Sequence, residues 1–188
     1  MGTIKLDHDK IVWIAENKYP VTADETLFSP TFARSIAKRL NREQLLMIGR
    51  WKAARAQGYL NRNEDESISA FSEAAFAAKN PRLAAWTLQY LNGVGVRMAS
   101  AILTVHNPRI YTVYDVRAVK TLRRIDYKNL GVSAPTWLDE KGVLDSTYRY
   151  ADYLKLCGDI AKKCTVSMRE LDRCLWRMNG HDIDIKSN

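Results

Sequence analysis

The sequence predicts an all-α protein, on three observations. Apolar residues recur at helical spacing along nearly the whole chain. Two capping boxes, Asn41 with Gln44 and Ser167 with Glu170, mark helix starts. The one strand-like stretch, 109–114, is too short and isolated to found a sheet. In chain order, helical patterns cover 9–18 and 30–40. After Asn41, Leu45, Ile48 and Trp51 lie on one side of a helix expected to run to about Gln57, where Gly58 stops it. A pattern over 67–79 follows. Asn80-Pro81, a cap followed by proline at the first helical position, opens a helix to Leu91 with Leu83, Trp86 and Tyr90 as its stripe and Gly93 as its end. Further patterns cover 96–106, 116–124 and 146–162, and the helix opened by Ser167 is expected to end before Gly180. Segment 130–141, with Gly131, Pro135 and Gly142, reads as a loop.

The 188 residues suffice for one domain over 1–188, dividing into two helical lobes joined by helices, because no repeat, low-complexity tract or long linker interrupts the pattern. No apolar run approaches the ~20 residues of a membrane span. The first ten residues mix Lys5 and Lys10 with Asp7 and Asp9 and lack an apolar core, so they do not read as a secretory signal. A soluble, cytoplasmic protein with no membrane partner and no obligate protein partner is expected. Three cysteines, Cys157, Cys164 and Cys174, are an odd set better read as reduced, buried thiols than as bridges.

The formal charge of +8 favours an acidic partner, and its distribution sharpens the point. Segment 31–62 holds eight Lys and Arg against the single acid Glu43, and 97–128 holds seven against Asp115 and Asp126. An acidic stretch over 64–73 separates them. Solvated helix faces would give the same runs, so charge alone does not decide.

The chemistry concentrates at 91–103, Leu-Asn-Gly-Val-Gly-Val-Arg-Met-Ala-Ser-Ala-Ile-Leu. Two glycines one residue apart, between two helical patterns, make a tight hairpin whose backbone can approach another surface closely. The amides of Val94, Gly95 and Val96 are then expected at the N-terminus of the second helix, where unpaired N–H groups and the helix dipole favour a phosphate. A dinucleotide-binding turn fails here: a helix replaces the required strand, and Met98 stands where the third glycine belongs.

Leu91-Asn-Gly-Val-Gly95, Ala99, Leu103 and Val113-Tyr-Asp115, with the aspartate twenty residues after Gly95, resemble the signature of the helix-hairpin-helix DNA glycosylases that include endonuclease III and the adenine-mismatch glycosylase. Asn92 stands at the usual proline, and the matching motifs end at Leu122. The resemblance implies that Gly93, Val94, Gly95, Val96 and Arg97 grip double-stranded DNA and that Asp115 is the catalytic carboxylate. Physically, breaking a base–sugar bond builds positive charge on the deoxyribose, which a nearby carboxylate stabilises. Asp115 also fits a helix N-cap, and the two roles are compatible.

Strand-cutting members of that family carry a lysine two positions after the second hairpin glycine, whose amine forms a Schiff base with the sugar. Arg97 stands there and cannot act so, which implies a monofunctional glycosylase using water. Lys52 and Lys120 are the substitutes to consider for a bifunctional glycosylase/lyase, against the simpler roles of phosphate contact or solvated surface. The family's iron–sulfur cluster is not expected, since only three cysteines are present for four ligands. No metal site is expected from His8, His106 and His181. Candidates for holding an extruded base are Trp13, Trp51, Tyr111 and Tyr114, each of which the core also claims; Trp51 with Lys52 and Arg55 combines an aromatic with two cations that reach phosphates. The expectation is thus two helical lobes around a cleft with the hairpin and Asp115 at its mouth. A non-enzymatic binding module would keep the hairpin and use Asp115 only as a cap.

Overall fold

The computed structural model describes residues 3–20 and 24–184. Most of them are helical, and among the described residues no strand forms. The helices are α1 (His8–Asn17), α2 (Asp24–Leu27), α3 (Pro30–Ser35), α4 (Arg42–Ala53), α5 (Gln57–Leu60), α6 (Asp65–Ala77), α7 (Pro81–Leu88), α8 (Val96–His106), α9 (Val116–Leu122), α10 (Tyr127–Leu130), α11 (Thr147–Cys164) and α12 (Met168–Met178). No helix among the described residues is long and apolar enough to cross a membrane.

Local chemistry explains the starts. Asp7 caps α1 by accepting from the Lys10 amide at 2.8 Å, Ser29 and Pro30 open α3, and Asn80 accepts from Arg82 and Leu83 ahead of Pro81. Both expected capping boxes form, at Asn41/Gln44 and Ser167/Glu170. Each side-chain cap is worth about 1 kcal/mol.

Helix α8 ends at His106 and α12 before Gly180, as expected, whereas the helices opened at Pro30 and Asn41 end earlier. The helix after Pro30 stops at Ser35, and beyond it the Leu40 amide donates to the Ser72 hydroxyl at 2.8 Å, a bond to α6. Helix α4 ends at Ala53, where the backbone extends (φ −162°, ψ 88°) into a 3-10 turn, Ala54–Ala56. Gly58 therefore lies inside α5 and stops nothing; the Gln57 side chain ties α5 back to the Leu46 carbonyl at 2.9 Å. The loop over 130–141 contains a 3-10 turn at Trp137–Asp139.

Helix α8 is central: nine of its eleven residues are buried, and it packs against α4, α7 and α11. Helix α12 packs against α1, α9 and α11, and α6 packs on α7. Buried side chains from these helices form one contiguous core. The segment before α9 is extended without joining a sheet. The Tyr114 amide donates to the Ser100 hydroxyl at 2.8 Å and the Tyr153 hydroxyl donates to the Val113 carbonyl at 3.0 Å, so side chains of α8 and α11 satisfy a backbone that would otherwise need a neighbouring strand. Among the described residues the strand-like pairing is a single parallel bridge, Ile4 with Ile125. The extended segment delivers the next residue, Asp115, to a fixed place.

Candidate functional site

Asp115 is the N-cap of α9, its carboxylate accepting from the Arg117 amide at 2.9 Å. Its other oxygen pairs with the ammonium of Lys52, from the last turn of α4, and the two side chains are only 17% and 13% exposed. Burial by itself would push the Asp115 carboxyl up. The Lys52 charge, its hydrogen bond and the Arg117 amide outweigh that and hold the pKa below its ordinary 3.8, so the group is an anion at neutral pH.

The turn between α7 and α8 is built for close approach. Gly93 has φ +79°, and a Cβ there would stand 2.8 Å from the Tyr59 Cβ and 3.2 Å from the Leu60 nitrogen. The turn is pinned from below by Asn63, which is buried: its side-chain oxygen accepts from the Asn92 amide at 2.7 Å and its side-chain nitrogen donates to the Asn92 carbonyl at 3.0 Å. Gly95 is the N-cap of α8, has no side-chain cap, and faces open space where its Cβ would be. The first-turn amides of α8 are thus presented without competition from a capping side chain. The Val94 amide differs from expectation, because it donates to the Leu91 carbonyl at 3.1 Å and closes the turn. The side chains of Val94 and Val96 are buried and anchor the turn in the core.

These parts meet in one cleft. Its outer section, of about 380 Å³, is lined by Lys52, Arg55, Gly93, Gly95, Val96, Arg97 and Asp115. Arg97 also lies 3.5 Å from Asp145 on the cleft rim. Lys120 is exposed on α9 beside Gly180 and lines no part of the cleft. A larger hollow, about 600 Å³, lies between the 131–137 loop and α11 and contains none of the candidate catalytic, DNA-binding or base-holding residues.

Lys52 and Asp115 also line a second, smaller recess of about 120 Å³, whose other walls are Tyr19, Trp51, Val113, Arg169, Asp172 and Trp176. Trp51 therefore does line a cavity at Asp115. Tyr111 and Tyr114 do not: both are buried in the core, Tyr114 with its hydroxyl donating to the Val143 carbonyl at 2.6 Å and its ring against Tyr150 and Tyr153. Alternation accounts for Tyr114, which the extended segment turns inward at the step before it turns Asp115 toward the cleft. Trp13 is half-buried on α1 under the Lys18 ammonium, 4.8 Å from its ring, and lines neither section.

The sequence reading did not find Asn63, Tyr19, Arg169, Asp172 or Trp176. A signal existed for Asp172. Met168, Leu171, Leu175 and Met178 form the buried stripe of α12, and Asp172 sits on that stripe at 4% exposure. It pairs with Arg169, three residues earlier. Burial pushes its carboxyl up, opposed by the Arg169 charge.

All three cysteines are buried free thiols; burial pushes each up, Cys174 to about 12, which leaves them unreactive. Among the described residues no three His, Cys, Asp or Glu side chains gather as a metal-ligand group. In comparisons with known proteins, no family model matches the chain, and no curated protein or solved structure is significantly similar to it.

Proposed function

We propose that the protein is a DNA glycosylase that hydrolyses the N-glycosidic bond of a damaged, mismatched or modified base in double-stranded DNA. The observation that carries this reading is that Asp115, the glycines of the α7–α8 turn and the cations Lys52, Arg55 and Arg97 line one cleft. In this reading α7, the turn and α8 are a helix-hairpin-helix element between two helical lobes. The α8 amides and the cations take backbone phosphates on either side of the target nucleotide. The nucleotide rotates into the cleft. As the bond from C1′ to the base lengthens, its electron pair leaves with the base, and the Asp115 carboxylate stabilises the positive sugar. Water adds to C1′ and gives up a proton, the base gains one, and an abasic site remains.

The Lys52–Asp115 pair favours a second reading, in which the Lys52 amine, once deprotonated, replaces water at C1′. The resulting Schiff base would allow strand cleavage at the 3′ phosphate. Lys52 rather than Lys120 is the residue for this role, because Lys120 lies outside the cleft.

The test is abasic-site formation on duplexes carrying oxidised, alkylated, deaminated, mismatched and hypermodified bases, with borohydride present in a parallel set. Product from the native protein that is lost in Asp115→Asn while DNA binding survives supports the glycosylase. A borohydride-trapped adduct lost in Lys52→Gln supports the second reading, and its absence on cleaved substrates removes it. Tight binding without base release on any duplex leaves a non-enzymatic binding module.

A further inference from the structure

The recess behind Asp115 has a composition that the proposed chemistry does not by itself require. Its walls are aromatic: Trp51 stands edge-on to Phe28 at 5.7 Å, and Trp176 edge-on to Tyr19 at 5.4 Å. Within this apolar frame sit two side-chain groups of opposite character, the Asp172 carboxyl and the Arg169 guanidinium, with side chains 5% and 12% exposed. Asp172 and Trp176 are four residues apart on α12 and so share a face of the helix. A buried carboxylate costs free energy that an apolar residue on the same stripe would avoid, and the pair with Arg169 offsets only part of it. The pair thus sits among aromatic side chains in a recess that Asp115 also lines.

We propose that this recess takes the base, and that Asp172 and Arg169 select one with a lactam edge, a ring N–H beside a carbonyl. Guanine-derived bases, hypoxanthine and uracil carry that edge. The inference rests on the glycosylase reading only in that the base arrives from DNA. Asp172 as an anion only accepts and Arg169 only donates, so side by side they complement a neighbouring N–H and C=O. The rings of Trp51 and Trp176 supply stacking surface for a planar heterocycle.

The test is binding, and needs no turnover. Duplexes carry hypoxanthine, uracil, an oxidised guanine or ethenoadenine on 2′-fluoro-deoxyribose, which resists glycosidic cleavage, alongside a duplex with tetrahydrofuran in place of the nucleoside. The native protein is expected to bind at least one lactam-bearing duplex about ten-fold or more tighter than the tetrahydrofuran duplex, with no such gain for ethenoadenine, which is planar and neutral but has no N–H donor on its pairing edge. Asp172→Leu, which removes the acceptor, is expected to lose most of that gain while holding the tetrahydrofuran duplex as before. Trp176→Leu, which leaves Asp172 and Arg169 in place, serves as the second variant and is expected to lose the gain as well. Absence of a lactam preference, equal binding of ethenoadenine, or retention of the preference in folded Asp172→Leu and Trp176→Leu would overturn the proposal. If the preference holds but the unfluorinated duplexes are never cleaved, the glycosylase reading falls and the recess stands as a base-recognition site.

Discussion

Lys52 at the end of α4 and Asp115 at the start of α9 form an ion pair across 63 residues of sequence, each side chain less than one-fifth exposed, at the junction of the outer cleft and the aromatic recess. A pair so placed ties two helices together and sets an anion in the cleft that the proposed reaction would use. Its stability and its chemistry separate by mutation.

Lys52→Met removes the cation and leaves Asp115 desolvated and unpaired on one side. A loss of about 2–4 kcal/mol in unfolding free energy is expected, measured by urea denaturation. Lys52→Arg keeps the charge and is expected to recover most of the stability while giving no borohydride adduct.

The acid side of the stability profile carries the signature of Asp115. Its folded pKa lies below its unfolded value, so its contribution is fully present above the ordinary carboxylate value of 3.8 and is lost as pH falls through the depressed folded pKa. The stability gap between the native protein and Asp115→Asn is therefore expected to be constant between pH 6 and pH 8, by thermal melts, and to narrow as acid is added below about pH 4. Asp172 acts in the opposite sense, since its pKa is raised by burial and acidification relieves its cost.

The two glycines of the turn are expected to respond differently. Gly93→Ala meets both a positive φ and the Tyr59 Cβ, and is expected to destabilise by about 1–3 kcal/mol. Gly95→Ala has φ −86° and open space, so melting should be unchanged while its methyl group blocks a phosphate from the α8 amides. DNA affinity by fluorescence anisotropy is expected to fall about ten-fold, some 1.4 kcal/mol. Unchanged affinity in Gly95→Ala would remove the turn from the DNA-binding surface.

Asn63 holds the turn with a donor and an acceptor at once. Asn63→Asp keeps the acceptor for the Asn92 amide but sets a carboxylate against the Asn92 carbonyl, and is expected to cost more than Asn63→Ala, which loses about 1–3 kcal/mol. Both are expected to weaken DNA binding with no change in the Lys52–Asp115 pair, read by the pH profile above.

Helix starts were legible because capping is local: Asn41 with Gln44 and Ser167 with Glu170 use side chains three residues apart. The ends of α3 and α4 were less so, because side chains further along take over the backbone there, Ser72 at the Leu40 amide and Gln57 at the Leu46 carbonyl. The outer cleft was legible where spacing carried it, in Gly93, Gly95, Arg97 and Asp115. Lys52 read as a phosphate contact or a substitute amine, and its partner across 63 residues had no sequence signature. The recess was the least legible part. Two of its aromatics, Tyr19 and Trp176, lie near opposite ends of the chain, and Asp172 carries no motif, only its place as a polar break in the buried stripe of α12.

The most direct measurement is release of free base, followed chromatographically from the panel of modified duplexes, by the native protein and by Asp115→Asn at matched DNA occupancy. Release is expected from at least one duplex, with a fall of about 100-fold or more in the variant. Release that proceeds equally well without the Asp115 carboxylate, or no release from any duplex at full occupancy, would contradict the proposed chemistry.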